Sequence, residues 1–306
     1  MNSTTEVNHE KLMELFGNVF NDVAGSMAIM MSYLGDQTGV YRAMDKLGPA
    51  SVKDIARESN VDERYLLEWL SSNSGRGYVT YHDDEEKFSL SPEQAAVFAR
   101  ENEPTCIQGL VQGVVGQFVK EDVAVDVFQT GRGRPWGEHH ECCFCGTERF
   151  FRPAYAGHLL EEWIPAMEGV EEKLKKGAKV ADIGCGLGTS SMLMAEQYPN
   201  STIHAFDFHE PSIEEAKKRA EERGLSNLEF FVSDAAAIPK ESYDLACIFD
   251  AWHDMGDPVG VAKSIKDKLA DDGTFMVVEP MALDGLKNNI DNNPSSAMFY
   301  GFGTLI

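Results

Sequence analysis

A doubly wound α/β domain preceded by a smaller, mostly helical domain is the fold that this 306-residue sequence predicts. Two patterns and the length carry the prediction. From Lys175 onward, near-continuous apolar runs at 179–185, 202–208, 228–234, 243–250 and 274–279 alternate with helix-patterned segments at 189–197, 211–223 and 259–269. Strands that are apolar at every position are covered on both faces, which implies a parallel sheet with right-handed crossovers. Before Lys175 the periodicity is helical, with a single hairpin. The length exceeds what one hydrophobic core organises, so two domains are expected.

Composition narrows the function. Hydrophobic residues make up 43% and charged residues 25%, as in an ordinary globular protein, so disorder and fibrous repeats are excluded. Lys and Arg number 27 against 50 Asp and Glu, a formal charge of −23, which repels phosphate backbones and anionic membrane surfaces. The six cysteines follow no signal peptide and form no secreted disulfide framework, so a reducing cytoplasm is expected. No apolar run reaches the roughly 20 residues needed to cross a bilayer.

In the first part, Leu12, Leu15, Phe16, Val19, Val23, Met27, Met30, Met31 and Leu34 recur at three- and four-residue spacings over 8–34, the stripe of a long amphipathic helix. Such a stripe needs a partner, and a homodimer through the N-terminal helices is expected. A shorter helix at 39–47 ends at Gly48-Pro49. Two short helices at 51–57 and 62–70 follow, the first opened by Ser51 with Asp54, a capping box in its acidic variant. The segments 77–81 and 87–90, joined by Asp83-Asp84-Glu85-Glu86, read as a hairpin. Helix, helix, hairpin is a winged helix. Residues 1–100 carry 9 Lys and Arg against 16 Asp and Glu, and the second helix offers Arg64 beside Asp62, Glu63 and Glu68. That balance disfavours DNA and leaves dimerisation or scaffolding as the role of this domain.

Residues 101–165 read as a helical linker and partial lid: a Gly-interrupted apolar stretch over 104–127, a loop at 130–137, then a helical stripe through Phe150, Phe151, Tyr155, Leu159, Leu160, Trp163 and Ile164. The tract His139, His140, Cys142, Cys143 and Cys145 is too crowded to close a zinc tetrahedron, and no metal is expected.

The chemistry concentrates at 166–306. The first strand of the alternating region runs through Asp182-Ile183-Gly184-Cys185-Gly186-Leu187-Gly188-Thr189 into a helix. Glycines there let the backbone turn tightly and approach a ligand at the carboxyl edge of the sheet. Thr189 stands where a dinucleotide fingerprint needs its third small residue, so a nicotinamide cofactor is disfavoured. Asp182 would repel a pyrophosphate and attract a ligand ammonium. Asp207 closes the second strand, where an acid binds ribose hydroxyls, and Phe208 stands ready to flank a base. Asp234, with Ala235, ends the third strand where an adenine amino group can donate, and Asp250 ends the fourth.

The order Asp182-x-Gly184-x-Gly186-x-Gly188, then Asp207, then Asp234-Ala235, resembles class I S-adenosylmethionine-dependent methyltransferases over residues 175–282. With the winged helix included, the chain resembles the microbial winged-helix methyltransferases and, more distantly, the plant-type small-molecule O-methyltransferases. The resemblance implies a Rossmann-like domain with S-adenosyl-L-methionine as cofactor. By position, Gly184, Gly186 and Gly188 would wrap its methionine part, Asp207 its ribose, and Asp234 with Ala235 its adenine. It further implies a small-molecule acceptor, a hydroxyl, deprotonated by His253. Glu279 resembles the family acid that orients this His, and Asp254 is the other candidate partner. The stretch 144–153 resembles a recurrent segment near the substrate pocket, so Arg149, Arg152, Tyr155 and Trp252 are candidates to touch cofactor or acceptor.

The family carries two more strands after the fifth, and the residues after Pro280 are too few for them. That suggests a truncated form, a natural fragment or a variant whose exposed edge is covered by a partner. The rival readings are a metabolite-sensing winged-helix regulator and a non-catalytic S-adenosylmethionine-binding protein.

Overall fold

The computed structural model describes residues 7–306. The chain divides into two compact units, Met1–Val115 and Gly116–Ile306. No helix of the described residues is long and apolar enough to cross a membrane.

In the first unit, α1 (His9–Gln37) is followed by α2 (Val40–Leu47), α3 (Val52–Ser59), α4 (Glu63–Gly75), the hairpin β1 (Thr80–His82) and β2 (Lys87–Ser89), and α5 (Pro92–Phe98). The expected winged helix is present. Its starts are chemically specified: the side chains of Ser51 and Asp62 accept the Asp54 and Tyr65 backbone N–H groups, each cap contributing about 1 kcal/mol. At Ser51 the capping box is only half made, because the hydroxyl donates to Asp54. A complete box forms instead between Ser91 and Gln94 at the start of α5. The core gathers Tyr41, Met44, Ile55, Leu66, Leu70 and Phe88. Polar atoms within it are paired: Tyr41 donates to Asn73 at 3.0 Å and Trp69 Nε1 to the Met31 carbonyl at 2.7 Å. The stripe of α1 stays exposed over most of its length, Leu15, Phe16 and Phe20 each by more than 60%.

The chain leaves this unit within α6 (Gln108–Val119) and continues through α7 (Glu121–Thr130), an irregular stretch to His140, and α8 (Glu141–Ala154). The cysteine tract therefore lies on a helix, opened by His140, whose Nδ1 accepts the Cys142 N–H. Pro153 brings no N–H to the helical ladder, and from Tyr155 to Trp163 the backbone widens into π-type turns.

After α9 (Val170–Lys176) the predicted alternation appears, with the last strand starting five residues earlier than expected: β3 (Lys179–Ile183), α10 (Thr189–Gln197), β4 (Thr202–Asp207), α11 (Glu210–Glu222), β5 (Leu228–Val232), β6 (Tyr243–Phe249), α12 (Pro258–Lys266) and β7 (Leu269–Val278). The five strands are parallel in the order β5-β4-β3-β6-β7. Residues alternate between two cores. Val180, Ala205, Leu245 and Cys247 face Met192, Ala195 and Ala216, whereas Ala181, Ile183, Phe206 and Ile248 face Val261 and Ile265. The residues after β7 form α13 (Leu286–Asn292) and α14 (Ser296–Leu305).

The order of strands reverses between β3 and β6, and in such sheets ligands sit at the carboxyl edge of that switch point. The turn after β3 is held open there by glycine. Gly188 has φ of +77°, and a Cβ on it would stand 2.7 Å from the Phe230 ring. Gly188→Ala should therefore lower the unfolding free energy by about 2–4 kcal/mol, combining left-handed strain with overpacking. Chemical denaturation measures this, and a loss under about 0.5 kcal/mol would show the packing argument wrong.

Candidate active site

The carboxyl ends of β3, β4, β5 and β6 open onto one cavity of about 1380 Å³ that lies wholly within the second unit. A single small-molecule site occupies roughly 300–1,000 Å³, so the cavity has room for two ligands side by side. Gly184 and Gly186 form its floor. No atom lies within 4 Å of the point where a Cβ of Gly186 would stand, and its N–H donates to Asp207 Oδ2 at 2.8 Å. The other oxygen of Asp207 accepts the His209 N–H at 2.8 Å. Burial raises the pKa of Asp207, while those two N–H groups favour its charged form.

Asp182 stands one layer behind. It is 1% exposed, and its Oδ2 accepts the hydroxyls of Ser190 at 2.7 Å and Ser191 at 2.5 Å, which pins the first turn of α10 to the central strand. Its Oδ1 is buried without a partner. Burial pushes this carboxyl up to about 6.

On the other side of the switch point, Asp250 adopts φ of +50° just after β6 and turns the chain into the loop that carries Trp252, His253 and Asp254. Glu279, directly after β7, ties this loop down: its Oε1 accepts the backbone N–H groups of Ala251 at 3.2 Å and Trp252 at 2.7 Å. Its Oε2 makes a short hydrogen bond with His253 Nδ1, while His253 Nε2 lies 3.4 Å from Asp254 Oδ1. The Glu279 bond, ahead of Asp254, raises His253 from 6.5 to about 9 despite its partial burial. Burial also pushes Asp250 up to about 8 and raises Asp254. For Glu279, burial works upward but is outweighed by His253 and the two N–H groups, and the net shift is downward. Asp250, His253 and Glu279 present ligand atoms within 4.8 Å of one another, the one three-residue set of that kind among the described residues.

The remaining wall comes from α8, where Phe144, Thr147, Glu148 and Phe151 face the cavity at three- and four-residue spacing, continued by Tyr155. Glu148 accepts the Thr189 hydroxyl at 2.9 Å. From the chain's end, Phe299, Tyr300 and Phe302 of α14 add aromatic surface.

Residues 174–302 match the methyltransferase domain family, and residues 25–100 match the Rv2258c-like winged HTH domain. Residues 174–302 therefore carry a methyltransferase domain and residues 25–100 a winged-helix domain, each matching its family over less than half of the chain. Among curated relatives, the sterol 24-C-methyltransferase erg6 of Aspergillus fumigatus is 30% identical over 172 residues, 55% of this chain and 42% of that protein. The chain thus spans less than half the length of this relative. Among solved structures, the mitomycin 7-O-methyltransferase MmcR superposes with a TM-score of 0.69 at 15% identity, over 97% of this chain and 87% of the other. Human N-acetylserotonin methyltransferase, solved in complex with SAM, gives 0.65 at 16% identity, over 100% and 88%. At these identities the two structures share the fold.

The methyltransferase cavity fits the cofactor that the sequence motif implies. The cradle over Gly186 leaves space where any side chain would intrude, and Asp207, tied to the Gly186 N–H, lines the cavity beside it. Most of the expected site residues line the cavity: Gly184, Gly186, Asp207, Phe208, Asp234, Ala235, Asp250, Tyr155, Trp252, His253, Asp254 and Glu279. Four expected residues lie off its wall. Gly188 is spent on helix–sheet packing against Phe230, and Asp182 on holding α10. Arg149 sits about 100° around α8 from Glu148, given 3.6 residues per turn, and Arg152 turns toward Glu148 at 3.6 Å. Phe144, Glu148 and Phe151 lie in the stretch 144–153 expected near the substrate pocket but were not singled out within it, and the aromatic residues of α14 were not expected at the site. A stripe through 144, 148, 151 and 155 was the available signal for the first three.

His140 caps α8, Cys143 accepts from Gln117 at 3.2 Å, and Cys145 is exposed.

Glu279→Gln should bring His253 down from about 9 toward 6.5, as read by NMR titration of the imidazole; a midpoint that stays near 9 would show that Glu279 is not its cause. A His pKa raised by folding stabilises the fold fully below about pH 6.5 and ceases to do so as pH rises through about 9. The stability difference between wild type and Glu279→Gln should shrink over that same window.

Proposed function

We propose that this methyltransferase transfers a methyl group from S-adenosyl-L-methionine to a hydroxyl of a small molecule, with His253 as the general base. One observation supports the reading above the others: an imidazole held between two carboxylates on the wall of a cavity whose opposite side is the glycine turn. The bound cofactor supplies a methyl group already activated on a sulfonium. The protein's own residues then have three tasks. Gly184, Gly186 and Asp207 hold the donor, with Asp234 and Ala235 at its far end. The aromatic residues of α8 and α14 exclude water and hold the acceptor in line. His253 takes the acceptor proton.

Glu279 has two roles in that step. It orients the ring through Nδ1, so that the acceptor meets Nε2 in place of Asp254, and it stabilises the cation formed on proton uptake. The same pairing loads the ring with a proton at neutral pH, so His253 must first lose that proton. Catalysis should accordingly rise with pH through about 9.

Two further readings accompany this one. The apolar face of α1, exposed from Leu12 to Leu34, supports a homodimer in which a second copy covers it. All six cysteines are free thiols, five of them buried, which supports a reducing cytoplasm.

Calorimetric titration tests the donor: S-adenosylmethionine and S-adenosylhomocysteine should bind saturably and NAD should not, and failure of both sulfur ligands would remove the proposal. With an acceptor in hand, His253→Ala should lower turnover about 10²–10⁴-fold and abolish the alkaline limb, with S-adenosylhomocysteine affinity unchanged. An unaltered rate would end the base assignment. Light scattering tests the dimer: wild type should have twice the chain mass, and Phe16→Glu with Phe20→Glu should give monomers, whereas a monomeric wild type would refute it.

A further inference from the structure

The carboxylate of Asp250 stands in the cavity wall with no hydrogen-bond partner among the described residues. It is half-buried, so a ligand in the cavity can reach it. A carboxylate withdrawn from water without hydrogen bonds is costly, and a cation is what completes such a group.

Its neighbours are an imidazole and a second carboxylate. Asp250, His253 and Glu279 each offer a ligand atom within 4.8 Å of the other two, with Glu279 half-buried like Asp250 and His253 exposed. Atoms on a tetrahedron around zinc lie about 3.3 Å apart, so the three must close in by about 1.5 Å. Rotation supplies that movement, because the terminal torsion of a carboxylate is broad and Asp250 is tied to nothing. Glu279 is already oriented. Its Oε1 accepts the Ala251 and Trp252 N–H groups, which leaves Oε2 toward the ring and gives the outer support that ligating carboxylates have. Asp254 approaches the far ring nitrogen and lies outside the set. The field around the set favours a cation: the wall also carries Glu148, Asp207, Asp234 and Asp257, against Arg134 as its one Lys or Arg, whose Nη1 donates to the Leu305 carbonyl.

We infer that Asp250, His253 and Glu279 form a site for a divalent transition-metal ion, zinc above all, and that the bound ion takes His253 out of action as a base. One imidazole nitrogen with two carboxylate oxygens suits zinc better than magnesium, which prefers oxygen ligands and sheds its waters reluctantly. A neutral imidazole has one lone pair with which to accept a proton, and a metal on either nitrogen uses it. Zinc is therefore an inhibitor of methyl transfer. That consequence rests on the reading of His253 as general base, whereas the site itself does not.

Zinc chloride and magnesium chloride are the probes, titrated calorimetrically into wild type, Asp250→Asn and His253→Ala, with S-adenosylhomocysteine titrated into each as a control. Asn tolerates the left-handed φ of +50° at this position, so Asp250→Asn removes the charge and keeps the turn. Wild type should bind zinc saturably and at least tenfold more tightly than magnesium, and each variant should lose at least tenfold in zinc affinity. Cobalt in place of zinc should give no thiolate charge-transfer absorption, which separates this site from the exposed thiol of Cys145. In zinc-saturated wild type the His253 imidazole should cease to titrate by NMR. No saturable zinc binding, magnesium as tight as zinc, undiminished zinc affinity in either variant or a thiolate band would overturn the site. An imidazole that titrates as before would overturn its effect on the base. If Asp250→Asn fails to fold, His253→Ala decides, since that side chain is exposed. Zinc binding without S-adenosylhomocysteine binding in wild type would refute the methyl-transfer reading and leave the metal site standing; the reverse would strike the metal site alone.

Discussion

The carboxylate of Asp182 is the constraint on which the site depends. It ends the central strand at full burial, where a charge is expensive, and two serine hydroxyls from the first turn of α10 offset part of that cost. The strand and the helix are thereby locked at one angle, and the turn between them has no freedom except what its glycines provide. Asp207 repeats the device from the neighbouring strand by taking the Gly186 N–H. A ligand that meets this turn meets a floor already ordered, so little of its binding free energy goes into arranging the protein.

The opposite rim is built on another logic. Glu279 grips the loop after β6 by two backbone N–H groups and by His253, so the same carboxyl fixes both the position and the protonation of the imidazole. Asp250, Asp254 and Glu279 crowd one side of the cavity, and burial drives the first two toward their neutral forms. The acids of that rim surround a base, while the glycine turn forms the other side of the same cavity.

The winged helix has the architecture of a nucleic-acid reader, while its exposed groups are acidic and disfavour a phosphate backbone. Glu63 and Glu68 are exposed on α4, and the wing tip carries four acids in succession. The architecture and the electrostatics are independent properties, and the second decides what the first can touch.

The sequence by itself determined whatever depends on local chemistry and periodicity. The five strands, the helix start at Ser51, and the placement of Gly184, Asp207 and His253 at or just after strand ends follow from patterns a few residues long. Tertiary structure decided everything that depends on facing. On α8, Arg149 and Glu148 are adjacent in the chain, but only Glu148 meets the cavity, because a helix turns successive side chains by about 100°. Asp182 and Asp207 look alike as strand-end acids, yet one lies behind the wall and the other on it. The aromatic wall of α14 was invisible in the chain, since it exists only where residues 299–302 fold back onto the cavity, and no spacing encodes which distant segment lines a site.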